Sequence, residues 1–108
     1  MRRYSFVPVV LLALHAQAAV PASSSAAYQV GIRNFHFEPA RLVVPAGATV
    51  TWTNRDEEPH VVASMGNGFK SSPALDTDDR YTATFARPGT YTYFCSIHPQ
   101  MTGTIVVR

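Results

Sequence analysis

From Tyr28 onward the chain runs in short stretches of Val, Thr, Ile and aromatic residues between turn signals, and apolar positions nowhere keep helical spacing for more than about one turn. The pattern predicts an all-β domain. The expected strands are Tyr28–Arg33, a short piece near Phe35–Phe37, Arg41–Val44, Thr49–Asn54, His60–Ser64, Tyr81–Phe85, Thr90–Cys95 and Gly103–Val107. Pro45-Ala46-Gly47 and Arg87-Pro88-Gly89 set a proline of fixed φ just before a permissive glycine, and Met65-Gly66-Asn67-Gly68 marks another reversal. Seven or eight short strands point to a β-sandwich. Lys70 to Arg80, with Pro73, Asp76, Asp78 and Asp79, interrupts the pattern and is expected to cross the surface with at most one helical turn. No internal repeat is present.

Two-residue alternation assigns side chains to faces. Tyr91, Tyr93 and Cys95 fall on one side of their strand, with Thr90, Thr92 and Phe94 on the other. Cys95 therefore ends an aromatic column that belongs to the core. Val50 and Trp52 also share a face, and Trp52 is expected to pack in the interior. His36 alternates with Phe35 and Phe37, so burial of those two rings would turn it to solvent.

The N-terminus has a different character. Arg2-Arg3, the apolar stretch Phe6 to Leu14 and Ala16-Gln17-Ala18 follow the order of a secretory signal, with cleavage expected after Ala18. The apolar stretch is far short of the roughly 20 residues that span a bilayer, so no stable membrane insertion is expected after cleavage. Residues 19–27 read as a flexible leader of small and polar residues, and residues 28–108 as the single domain. Export implies a periplasmic location.

Cleavage would also change the electrostatics, because Arg2 and Arg3 account for the whole surplus of nine basic over seven acidic residues. The remaining chain is close to neutral. With one lysine, Lys70, and no basic cluster interleaved with aromatics, nucleic acid is excluded as a partner. Asp56-Glu57-Glu58 and Asp76 to Asp79 read most simply as solvated loops, without the ordered oxygen ligands a calcium site needs.

One cysteine remains to be explained. Cys95 is the only cysteine, so it forms no internal disulfide in an oxidising compartment. It opens Cys95-Ser96-Ile97-His98-Pro99-Gln100-Met101, which sets a thiol, an imidazole and a thioether three residues apart. His60, after Pro59 at a loop-to-strand junction and 35 residues before Cys95, supplies a second imidazole. Soft sulfur suits Cu(I), imidazole suits both oxidation states, and a His₂Cys plane with a weak axial Met is the set of blue-copper electron-transfer sites. The candidate ligands of one type 1 copper ion, cycling between Cu(I) and Cu(II), are therefore His60, Cys95, His98 and Met101. Met65 is the other thioether after the leader, but along an unbroken strand it would face away from His60. A Cys-His nucleophile lacks both a third residue to orient the base and a glycine-rich oxyanion loop.

These residues resemble the blue copper proteins, or cupredoxins, and among them the amicyanin and pseudoazurin type. The similarity runs from Tyr28 to Arg108 through Phe35-x-Phe37-x-Pro39, Val50-Thr51-Trp52-x-Asn54, Pro59-His60-x-Val62, Pro88-Gly89-Thr90-Tyr91-x-Tyr93-x-Cys95 and Met101-x-Gly103-x-Ile105-Val106-Val107. The Cys-x2-His-x2-Met spacing is that of amicyanin. The resemblance implies a Greek-key β-sandwich with copper at one end and electron passage through the exposed edge of His98, bordered by Pro59, Pro99, Gln100 and Met101. Val61 departs from the asparagine common after the first histidine, which keeps the backbone donor to the thiolate and removes the side-chain clamp.

The expected function is electron transfer without substrate chemistry, between redox proteins that dock near His98, by a monomer rather than an enzyme. A copper carrier or resistance protein is the alternative, though it would favour Met- or His-rich tracts and none is present. A multicopper enzyme needs more histidine clusters than three histidines outside the signal can build.

Overall fold

Alternation becomes burial in the strands. The computed structural model describes residues 2–11 and 27–108. Eight strands form among the described residues: β1 (Ala27–Arg33), β2 (His36–Glu38), β3 (Arg41–Val44), β4 (Ala48–Asn54), β5 (Ala63–Ser64), β6 (Arg80–Phe85), β7 (Gly89–Phe94) and β8 (Thr102–Val107). Val30 and Ile32 of β1, Val50 and Trp52 of β4, Tyr93 of β7 and Ile105 and Val107 of β8 all point into one buried cluster. Their polar neighbours lie on outer faces, as a two-sheet core requires.

One sheet has the order β2-β1-β4-β6 and the other β3-β8-β7-β5. Most pairings are antiparallel, but β1 runs parallel to β4 and β3 parallel to β8, so consecutive strands repeatedly change sheets. The molecule is an all-β Greek-key sandwich. Trp52, fully buried, has Phe69 stacked on it at 5.8 Å and the edge of Tyr93 at 5.4 Å. Removing such a ring from a core costs roughly 3–5 kcal/mol. Tyr93 lies flat over its cross-strand partner Gly103, where a Cβ would run into the ring.

Three expectations need correction. The strand expected at His60–Ser64 is regular only at Ala63–Ser64. Before that, His60 makes an isolated bridge to Leu75, and Val62 N–H donates to Ser72 Oγ instead of a neighbouring strand. Lys70 to Arg80 does not simply cross the surface. It contains no helical turn and sends Ser72 and Leu75 into the interior, so the segment underlies His60. Phe35 is not a strand residue but the second residue of the two-residue β1–β2 loop, and it is 38% exposed. His36 is exposed all the same. The expected cleavage after Ala18 and the leader up to residue 26 lie outside the described residues, while Ala27 opens β1.

Candidate metal centre

The Cys95–Met101 loop owes its spacing to two successive β-turns. His98 N–H donates to Cys95 C=O at 3.1 Å and Met101 N–H donates to His98 C=O at 2.9 Å, so each closes a four-residue turn. Turns of this kind return every third residue to the same end of the segment. Cys95 N–H then donates across the loop mouth to Met101 C=O at 3.0 Å. Cys95 just beyond β7 and Met101 just before β8 are both buried, and the β7–β8 ladder runs from Phe94↔Thr102 to Gly89↔Val107. Pinned at both ends, the loop presents His98 half-buried at the edge of the sandwich.

His60 reaches the same point from the connection between β4 and β5. Its backbone exchanges two hydrogen bonds with Leu75, at 3.0 and 2.7 Å, and its side chain is fully buried. Ahead of it, residues 54–58 fold back around Asn54. The Asn54 amide donates to Glu58 C=O and Leu75 C=O at 2.8 and 2.9 Å, and its oxygen accepts from Asp56 N–H at 2.9 Å. A fully buried side-chain amide thus holds the loop that carries the histidine.

Asp56 completes that hold. Its side chain is only 10% exposed, and Oδ2 lies 2.8 Å from His60 Nε2. The two carboxylate oxygens also accept the backbone N–H groups of Asn34 and Phe35 at 2.7 and 3.0 Å. Burial raises the carboxyl's pKa, but the Phe35 N–H, the His60 ring, the Asn34 N–H and the charge of His60 outweigh it, leaving the pKa below the ordinary 3.8. An ionised carboxylate only accepts, so Nε2 carries a proton, and in the neutral ring the lone pair is left on Nδ1. Asp56 is thus not the solvated acid that the local run Asp56-Glu57-Glu58 suggests. It orients a ligand candidate from behind, as carboxylates commonly do at metal-binding histidines.

The donor atoms converge. Cys95 Sγ lies 3.7 Å from His60 Nδ1 and 3.8 Å from His98 Nδ1, and the three atoms are all within 4.8 Å of one another. These separations suit the edges of a coordination triangle. With bonds of roughly 2.3 Å to thiolate sulfur and 2.0–2.1 Å to imidazole nitrogen, the values for zinc, a trigonal centre sets S and N about 3.8 Å apart and a tetrahedral one about 3.6 Å. Val61 N–H donates to the sulfur at 3.3 Å, so the backbone contact survives the loss of an asparagine side chain there. Met101 is buried at the end of the loop, whereas Met65 is exposed beside its turn. Residues 35, 54 and 56 carry much of the support; sequence reasoning places Phe35 and Asn54 only within patterns of resemblance and Asp56 among solvated acids, with no role at the site for any of the three.

Comparison with known proteins agrees with this construction. The family model of the cupredoxin-like domain matches residues 5–107. Amicyanin-alpha of Methylorubrum extorquens is 34% identical over 113 aligned positions, covering 96% of this chain and 91% of that protein. Amicyanin of Paracoccus denitrificans is 35% identical, covering 89% and 82%. Among solved structures, a purple cupredoxin from Nitrosopumilus maritimus is 37% identical with a TM-score of 0.71, covering 75% of this chain and 99% of that one. The chain belongs to the cupredoxin family, and its fold and His-Cys-His donor set are those of a blue copper electron-transfer protein. Within the family it is amicyanin-like, in similarity as in the spacing of its ligand loop.

Proposed function

We propose that this protein is a periplasmic carrier of single electrons, that His60, Cys95, His98 and Met101 hold its one copper ion, and that donor and acceptor proteins dock around His98. The observation that carries the reading is the meeting of two Nδ1 atoms and one thiol sulfur at 3.7 and 3.8 Å from segments 35 residues apart. Copper supplies the one-electron change between Cu(I) and Cu(II). The protein's part is to keep the donors in place through it. His60 offers Nδ1 because Asp56 occupies Nε2, and Cys95 offers a sulfur already bonded to Val61 N–H inside an apolar surround. Met101, buried at the loop's end, would supply the thioether.

Access follows from burial. His60 and Cys95 are sealed, whereas His98 is half-exposed and flanked by exposed Ile97, Pro99 and Gln100. An electron therefore leaves by the His98 edge, and a partner needs only to lie against that surface. The reading also takes residues 1–18 as an export signal, 19–27 as a leader and 28–108 as the working domain, acting as a monomer.

Purified protein mixed with Cu(II) should develop intense visible colour from its thiolate ligand, expected to be blue, with one copper per chain. Cys95→Ser should remove the colour while leaving the fold intact by circular dichroism. A wild-type protein that binds no copper, or binds it without colour, refutes the assignment. Ready surrender of Cu(I) to a competing chelator, with no electron exchange, would make it a copper carrier.

A further inference from the structure

The β1–β2 hairpin contains a residue that its own geometry does not favour. Arg33 pairs with His36, so Asn34 and Phe35 form a two-residue loop, and both have positive φ, 51° and 59°. Such loops favour Asn followed by Gly, because the second position is left-handed and a Cβ is strained there. Asn34 meets the preference and Phe35 opposes it. The hairpin gains nothing from an aromatic ring at this point, and the ring does not enter the core, being 38% exposed. A strained residue that persists at the edge of a site points to a use for its side chain.

That side chain lies across the two imidazoles. Its ring meets His60 edge-on at 5.4 Å and His98 edge-on at 4.9 Å, with interplanar angles of 89° and 86°. The backbone beneath it is fastened by Asp56, whose Oδ2 accepts Phe35 N–H and bonds His60 Nε2. The two histidines differ in what orients them. His60 has Asp56 behind it, while among the described residues the His98 ring makes no hydrogen bond beyond its contact with Cys95 Sγ. What sets the His98 ring is its packing against Phe35 and against His60 at 5.0 Å. Val61 offers no polar side chain with which to tie the two loops together.

We propose that Phe35 is a positioning residue of the metal centre: anchored by Asp56, its ring holds His98 with Nδ1 toward Cys95 and covers the open side of the site against water. The inference rests on the ligand assignment made above, but its first test does not need copper. The turn keeps a strained phenylalanine where glycine would fit because the ring restrains an otherwise untethered ligand.

The decisive comparison is wild type against Phe35→Gly, which relieves the turn and deletes the ring together, with Phe35→Tyr as the conservative variant. In the copper-free protein, Phe35→Gly should melt no lower than wild type, yet its His98 ring resonances should show averaging between orientations while those of His60 stay fixed. In the copper-loaded protein, Phe35→Gly should release Cu(I) to a chelator on the order of tenfold faster, the lower end of what loss of an outer partner does to metal sites. Its reduction potential should also move, and Phe35→Tyr should behave as wild type in every arm. Unchanged His98 resonances and copper release in Phe35→Gly would overturn the proposal. A parallel loss of melting temperature and copper retention would also overturn it, by assigning the ring to packing. Failure of the wild type to take up copper refutes the ligand assignment instead, and the copper-free resonances still judge Phe35.

Discussion

His60 and His98 present the same nitrogen to the same sulfur at nearly the same distance, yet they are built in opposite ways. His60 is fully buried, bridged through its backbone to Leu75 and bonded through its ring to Asp56, with Asn54 bracing the loop ahead of it. His98 rides on a seven-residue run held by turn bonds and is half-exposed. One side of the site is a fixed wall and the other is a window. A site that must keep its geometry while remaining reachable needs both, and the difference tells where damage should appear as instability and where as slow electron exchange.

The comparison breaks most sharply at Asn54. Asn54→Ala removes three hydrogen bonds from a fully buried side chain, each worth roughly 1 kcal/mol net, so a loss of about 3 kcal/mol is expected in chemical denaturation of the copper-free protein. A loss under about 1 kcal/mol would show that the wall does not depend on this amide.

Tyr93 sharpens the contrast from beneath Cys95. Burial pushes its phenol up to about 12 from the ordinary 10.0, with the Trp52 indole partly opposing the rise. A folded-state pKa above the unfolded value means that the stabilisation is fully present below pH 10 and is lost as pH rises through about 12. Copper-free protein should therefore lose on the order of 2 kcal/mol over that range, and Tyr93→Phe should flatten the decline. An equal decline in the phenylalanine variant would assign the alkaline loss to other groups.

The smallest expected effect on stability belongs to the window. Ile97 is 48% exposed in the ligand loop, so Ile97→Ser should change unfolding free energy by less than about 0.5 kcal/mol. It should still slow electron exchange between oxidised and reduced copies, read by NMR line broadening. An unchanged rate would move the contact surface away from the loop.

The legible parts of the molecule were those with a local cause. Alternation such as Val50-x-Trp52 and Tyr91-x-Tyr93 places strands within a residue or two, and proline-glycine pairs mark where they end. The spacing of Cys95, His98 and Met101 has a local cause too, since three residues is the reach of a β-turn. Failures occurred where partners are distant in the chain. Asp56 looks like one of three solvated acids until the turn at Asn34 and Phe35, more than 20 residues away, brings two N–H groups to it. Val62 looks like mid-strand until Ser72 Oγ takes its N–H. Phe35 left a trace, an aromatic residue beside Asn34 where glycine would make the easier turn, but reading it requires the hairpin register.

The position of β8 has a temporal consequence. Cys95, His98 and Met101 immediately precede this strand, which slots between β3 and β7 near the middle of its sheet, and β3 was laid down some 60 residues earlier in the chain. A nascent polypeptide has the first histidine but no closed loop to oppose it. Such a chain holds its soft sulfur unassembled, and the donor atoms meet only when the last strand threads home.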